Sequence, residues 1–136
     1  MTGARMPARR VAQIALVALG ATPALSDTAL VCRFATECVD AACAETTYGV
    51  DVQMAEMAAT IVTPAETLAG RVGLTVDGAP FVVAVTDGAV HLLTVMDAAG
   101  SARYTVHLAG AGMAITYLGR CQDEGRSEGR SEGLGE

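Results

Sequence analysis

A recurring alternation of short apolar segments with turn sequences, running from about residue 29 to residue 120, is the feature that most constrains this fold. One segment alternates strictly and places Tyr48, Val50, Val52 and Met54 on a single face, which is the period-two pattern of a half-buried strand. Farther along, Asp87-Gly88 separates two apolar segments, as in a tight β-hairpin. The spacing predicts an all-β fold of about eight short strands, an antiparallel meander that forms a small barrel or a sandwich.

The predicted strands are separated by segments of different character. The strands are expected at Ala29–Phe34, Thr47–Met54, Thr60–Thr63, Arg71–Asp77, Phe81–Thr86, Ala89–Met96, Ala102–Ala109 and Met113–Arg120. Between the first two, Ala35–Thr46 is expected to be a polar loop, and Pro64–Gly70 is expected to be a loop or a helical turn. The composition of Ala55–Ala59 favours a helix and leaves that segment ambiguous.

The N-terminus has the three parts of a secretory signal peptide. Arg5, Arg9 and Arg10 precede an apolar run over 11–19, and Ala24-Leu25-Ser26 places small residues where a signal peptidase reads them. The alternatives are a membrane anchor and an apolar core helix, but the run is shorter than the ~20 residues that span a bilayer. We therefore predict that residues 1–26 are removed and that the protein is periplasmic or secreted.

Four cysteines follow the predicted cleavage site, and an even number in an exported chain indicates two disulfides. Their spacing does not match the close pairs of a zinc site. Three pairings exist, and we expect Cys32–Cys121 with Cys38–Cys43, which ties the first strand to the last. The main alternative is Cys32–Cys38 with Cys43–Cys121. Because aromatic residues are scarce, the core must be light, and such a core gains from covalent bracing.

Residues 27–136 carry fifteen Asp and Glu against six Arg and no Lys, a net charge of −9. Such a surface disfavours nucleic acid, whose phosphates need cations, and an anionic membrane surface. It suits a soluble protein, or one that meets a basic extracytoplasmic partner. The β domain is expected to span 27–121, and the Gly-, Ser-, Arg- and Glu-rich tail over 122–136 is expected to be disordered because Leu134 is its only apolar side chain.

Two histidines form a candidate pair. If the hairpin turn is Asp97–Ser101, Met96 faces Ala102, and His91 then lies directly opposite His107. Their side chains would face solvent, with Val90, Leu92, Thr94, Tyr104, Val106 and Leu108 facing the core. Opposed histidines can bind a metal, but this register brings no cysteine or carboxylate to them, so no metal site is predicted and both remain weak candidates.

Carboxylates occur mainly in predicted turns. Asp77, Asp87 and Asp97 each open a turn, where an aspartate ordinarily accepts hydrogen bonds from backbone amides. The acidic side chains of the cysteine-pinned loop 35–46 form a candidate recognition surface; they are Glu37, Asp40 and Glu45. Phosphate-binding loops, nucleophile elbows and metal-binding helices have no counterpart in the sequence. We therefore predict no catalytic residues, no cofactor and no enzymatic activity.

Two resemblances accompany this pattern. Leu30-Val31-Cys32, Glu37-Cys38, Cys43 and the closing Tyr117-Leu118-Gly119-Arg120-Cys121 resemble small exported bacterial proteins of unknown function, which implies no activity. Gly100-Ser101-Ala102-Arg103-Tyr104 is similar to the Ser-Gly-x-x-Tyr loop of periplasmic inhibitors of C-type lysozyme, with the first two residues exchanged. The Trp and Lys of that family have no counterpart here. The second resemblance implies an eight-stranded barrel whose end regions share a disulfide, and a binding loop that includes Gly100, Ser101, Arg103 and Tyr104.

Together these features predict an exported, non-enzymatic binding domain. The most specific form of this prediction is an inhibitor of a cationic hydrolase such as lysozyme. The alternative is a small lipocalin-like carrier with an apolar ligand inside the barrel.

Overall fold

Eight strands follow one another along the chain, and each pairs in antiparallel fashion with its neighbours in sequence. The computed structural model describes residues 27–125. The strands are β1 Thr28–Val39, β2 Ala42–Ala55, β3 Ala58–Val62, β4 Thr67–Leu74, β5 Pro80–Val85, β6 Ala89–Val95, β7 Ser101–Leu108 and β8 Met113–Asp123. The predicted all-β meander is confirmed.

The first and last strands pair with each other, so the sheet closes into a barrel rather than a sandwich. Closure leaves no unpaired edge among the eight strands of residues 27–125. The turns at 40–41, 63–66, 86–88 and 109–112 lie at one end, which we call the upper end. The ends of the described chain and the other three turns lie at the lower end.

Both expected disulfides are confirmed. Cys32 of β1 lies opposite Cys121 of β8 and is bonded to it across the seam that closes the barrel. Cys38 of β1 lies opposite Cys43 of β2 and is bonded to it beside the first turn. The Cα atoms of each pair are 3.9 Å apart. The first disulfide therefore fixes barrel closure, and the second fixes a hairpin.

Three predicted segments differ from the structure. The polar loop expected at 35–46 is wrong, because β1 continues to Val39 and β2 begins at Ala42 after a tight turn. Asp40 makes this turn possible by adopting a positive φ of 50°, and its backbone N–H donates to the Ala114 carbonyl at 2.9 Å. The ambiguous segment 55–59 is not a helix: β2 ends at Ala55, the turn spans 56–57 with Glu56 at a φ of 56°, and β3 begins at Ala58. The loop expected over 64–70 is shorter, since β4 begins at Thr67.

Strand β8 continues to Asp123, two residues beyond the expected boundary of the β domain at Cys121. The predicted signal peptide over 1–26, and residues 126–136 of the predicted tail, lie outside the described residues.

The barrel interior is filled by side chains that alternate along the strands. The largest fully buried ones are Tyr104, Ile61, Leu93, Val50, Val52 and Cys32. Along β2, the predicted inward face with Tyr48, Val50, Val52 and Met54 is confirmed. Close packing of this interior is the main source of stability, since apolar burial is worth roughly 25 cal/mol per Å².

Candidate functional site

All three tyrosines of the chain meet inside the barrel. The rings of Tyr48 and Tyr117 are stacked, with centroids 4.2 Å apart and planes inclined by 14°. Tyr104 lies 6.3 Å from Tyr48 and 5.9 Å from Tyr117. We call these three residues the tyrosine cluster. Because β2, β7 and β8 each supply one member, the cluster exists only once the barrel has closed.

Strand register explains how the cluster forms. Tyr104 of β7 lies directly opposite Tyr117 of β8, while Tyr48 of β2 lies opposite Phe34 of β1. Phe34 in turn lies opposite Gly119 of β8. A side chain at Gly119 would overlap the Arg33 carbonyl oxygen and the Phe34 Cα. The glycine therefore lets β1 approach β8 closely enough for the aromatic rings of both sides to meet.

A β-bulge in β1 turns Glu37 toward this cluster. The register shifts between Phe34 and Thr36 in both ladders of β1, so that Glu37 lies opposite Tyr117. Burial raises the pKa of Tyr117, and a hydrogen bond to the Glu37 side chain raises it further by favouring the neutral phenol. Sequence alternation alone would have placed Glu37 outward, because a bulge reverses which positions face the core.

A second carboxylate, Glu66, lies in the β3–β4 turn, and its charge acts on Tyr48 and Tyr104 of the cluster. Thr63 holds this turn, because its hydroxyl accepts the Glu66 backbone N–H at 3.0 Å and donates to the Glu66 carbonyl at 2.9 Å. The pKa of Tyr48 is raised by burial, lowered by a hydrogen bond with Thr63, and raised again by the charges of Glu66 and Glu37. Tyr48 thus links the tyrosine cluster to the carboxylates of Glu37 and Glu66 near the upper end, and we call these three residues the upper rim.

His91 lies inside the barrel beside the cluster and is only 5% exposed. Its Nδ1 is 2.7 Å from the hydroxyl oxygen of Tyr104, which is itself fully buried. Its Nε2 is buried without a hydrogen-bond partner among the described residues. Burial lowers the pKa of His91, and the nearby charge of Glu66 partly opposes that effect. His91 is therefore held as a neutral ring at pH 7.

The predicted opposition of His91 and His107 is wrong. Val95, not Met96, lies opposite Ala102, so His91 faces Val106 and His107 faces Val90. The turn is one residue shorter than expected, because it ends at Gly100, which adopts a φ of 86°, and β7 already begins at Ser101. This slip sends His91 into the core and leaves His107 exposed outside. It also reverses the predicted core face of β6, whose inward residues are His91, Leu93 and Val95 instead of Val90, Leu92 and Thr94.

The predicted binding loop and acidic loop are dispersed by the fold. Gly100 ends the β6–β7 turn, Ser101 begins β7, and Arg103 faces outward from it. Tyr104 is fully buried, so its side chain belongs to the tyrosine cluster. Of the expected acidic loop, Glu37 faces that cluster, Asp40 lies in the first turn, and Glu45 is exposed on β2.

Glu66 was not singled out from the sequence as a site residue. Nothing in the sequence indicates that Glu66 lies near the tyrosines. Its position depends on the geometry of the β3–β4 turn, which Thr63 holds through its hydrogen bonds. The sole hint in the sequence is Thr63-Pro64, a pair typical of an ordered turn.

Other features of the described residues bear on the site. A cleft of about 210 Å³ at the lower end is lined by residues 27–29 and 53–55 together with Ala58, Ala59 and Thr60. Ligand pockets usually exceed ~300 Å³. Within residues 27–125, no three His, Cys, Asp or Glu side chains come close enough together to hold a metal ion. That same part of the chain has no helix of the length and apolarity needed to cross a membrane.

The site therefore combines stacked aromatic rings with two carboxylates. Ring faces carry partial negative charge and attract cations, and carboxylates accept hydrogen bonds from ammonium or guanidinium groups. The arrangement is chemically suited to holding a cationic group. Comparisons with models of protein families, with curated proteins and with solved structures find no match to this chain.

Proposed function

We propose that this chain is an exported, non-enzymatic binding domain for a basic extracytoplasmic partner, and that its upper rim receives a cationic side chain of that partner. One observation carries the proposal: the bulge in β1 places Glu37 opposite Tyr117, and the charges of Glu37 and of Glu66, from the β3–β4 turn, both raise the pKa of Tyr48 in the same cluster. Carboxylates gathered around stacked phenols make a local environment that favours a positive charge.

The proposal gives each group of the rim a role that follows from its exposure. Glu66 is exposed, so its carboxylate is accessible to an approaching partner. Tyr48 is half-buried and stacked on Tyr117, and the charge of Glu66 raises the pKa of the Tyr48 hydroxyl. A guanidinium over a tyrosine ring contributes ~0.5–2 kcal/mol, depending on how far it is desolvated.

Long-range electrostatics support the same partner. Residues 27–125 contain twelve Asp and Glu against four Arg. A field of that sign accelerates encounter with a basic protein and repels acidic ones. The most specific form of the proposal remains an inhibitor of a cationic hydrolase such as lysozyme. Residues 100–104, which resemble lysozyme inhibitors, lie at the lower end and would be a contact separate from the rim.

The experiment is a titration of the purified protein into C-type lysozyme by calorimetry, with lysozyme activity measured in parallel. We expect a saturable interaction that weakens as salt is raised from about 0.05 to 0.3 M. Glu66→Gln should weaken it by about 3- to 10-fold, because one carboxylate is lost from the rim.

Asp77→Asn is the matched control, since it removes one charge from an exposed turn at the lower end. Equal affinities of Glu66→Gln and Asp77→Asn would show that only net charge matters and would reject the rim. Ser101→Ala and Arg103→Gln test the loop that resembles lysozyme inhibitors. Absence of binding and of inhibition by the unmodified protein would reject the lysozyme version altogether.

A further inference from the structure

Three arginines lie together on the outside of the barrel, across β7, β8 and β1. Arg33 of β1 is directly opposite Arg120 of β8. Arg103 of β7 lies opposite Leu118, two residues before Arg120. All three side chains are exposed, while their strand neighbours Cys32, Ala102 and Cys121 face the core. We call Arg33, Arg103 and Arg120 the arginine face.

Residues 27–125 contain four arginines and twelve acidic residues, and three of the four arginines belong to this face. Like charges that are directly opposite on neighbouring strands repel each other and destabilise the pairing. Here Arg33 and Arg120 form such a directly opposed pair, and Arg103 is the diagonal neighbour of Arg120 on the adjacent strand. A bound anion would remove that repulsion.

Few carboxylates offset this charge. Arg33 contacts Asp51 at 3.2 Å, an exposed ion pair at one edge of the face, and also donates to the Cys32 carbonyl at 2.9 Å. Asp97 has a lowered pKa, caused mainly by hydrogen bonds from Ser101 and to a smaller extent by the charge of Arg120. Within residues 27–125, neither Arg103 nor Arg120 has a carboxylate within the 4.0 Å of an ion pair.

A groove lies between two of these arginines. It has a volume of about 450 Å³ and is lined by Val31, Arg33, Ala35, Gly119, Arg120 and Gln122. Ala35 and Gly119 are small, so the groove remains open between the charged side chains. The Gln122 amide adds a neutral hydrogen-bond donor to its wall.

We propose that this groove binds an oxyanion with two or more negative charges, held by Arg33 and Arg120 with Arg103 beside them. Guanidinium groups bind phosphate and carboxylate through paired hydrogen bonds, which makes Arg suited to both chemistries. The site lies on the outer wall, is independent of the tyrosine cluster and does not need the basic partner.

The test uses the purified protein labelled with ¹⁵N and titrated with inorganic phosphate or with citrate at pH 7.5. Sodium chloride at matched ionic strength corrects for screening. We expect saturable shifts of the amides of residues 33, 120 and 122 with one or both anions. Saturation by phosphate alone assigns a phosphate-type ligand, and saturation by citrate alone assigns a carboxylate ligand.

Two variants make the result specific. Arg120→Gln should weaken the binding by at least about tenfold, because one of the two flanking guanidinium groups is lost. Arg71→Gln removes the same charge from the exposed surface of β4, outside the groove, and should leave the affinity within about twofold. Shifts no larger than those with chloride, or equal weakening by the two variants, would overturn the proposal.

Discussion

The Nδ1 of His91 lies 2.7 Å from the hydroxyl oxygen of Tyr104 in the barrel interior, and these two side chains are 5% and 0% exposed. Because burial penalises a charged imidazole, the pair is compatible with a neutral histidine. Protonation would charge a ring whose Nε2 already lacks a hydrogen-bond partner among the described residues.

The free energy of unfolding should therefore fall in mildly acidic solution. The pKa of His91 in the folded state is lowered from 6.5 by burial, so the unfolded chain binds more protons between the two values. The contribution of His91 is complete above pH 6.5 and is lost as the pH falls through the folded-state pKa. The maximal slope is about 1.4 kcal/mol per pH unit, measurable by urea unfolding between pH 5 and 8.

Two variants isolate this effect from the titration of carboxylates. His91→Phe should remove this part of the slope, while His107→Gln should retain it because His107 is exposed. An unchanged slope in His91→Phe would contradict the assignment.

The disulfide that closes the barrel should contribute more stability than the one in the first hairpin. Cys32 and Cys121 are 89 residues apart, whereas Cys38 and Cys43 are 5 apart. Loop entropy predicts losses of ~4–5 and ~2 kcal/mol when each pair is replaced by alanine. Unfolding of the two double variants in guanidinium chloride measures both losses, and equal losses would show that restriction of the unfolded chain is not the dominant cause.

Gly119→Ala should lower the free energy of unfolding by at least about 1–3 kcal/mol. The added Cβ would overlap the Arg33 carbonyl oxygen and the Phe34 Cα, so β1 and β8 would have to separate. Gly110→Ala is the matched control, since a Cβ there has open space around it, and its effect should lie within about 1 kcal/mol of zero. Similar unfolding midpoints for the two variants would contradict a close approach at this seam.

The exported form should begin at Asp27. Intact-mass spectrometry of protein recovered after secretion from a bacterial host should show the loss of residues 1–26, because the small residues Ala24 and Ser26 suit signal peptidase. A mass that retains Met1 would reject the predicted cleavage.

Much of the framework followed from local sequence. Alternation on β2 identified its inward face, the Asp87-Gly88 turn identified one hairpin, and the cysteine pairing followed from the order of the strands. The strand face and the hairpin depend on residues that are close in sequence, and the disulfides depend on the cysteine positions. The sequence pattern shows all three directly.

The tertiary structure decided the site. A bulge of one residue directed Glu37 inward, a turn shorter by one residue buried His91, and barrel closure joined Tyr48 to Tyr117. Side chains alternate with a period of two, so a shift of one residue exchanges core and solvent for a whole strand. The sequence by itself therefore determined that the chain forms a disulfide-braced β meander, whereas only the closed barrel decided which acids and aromatics meet.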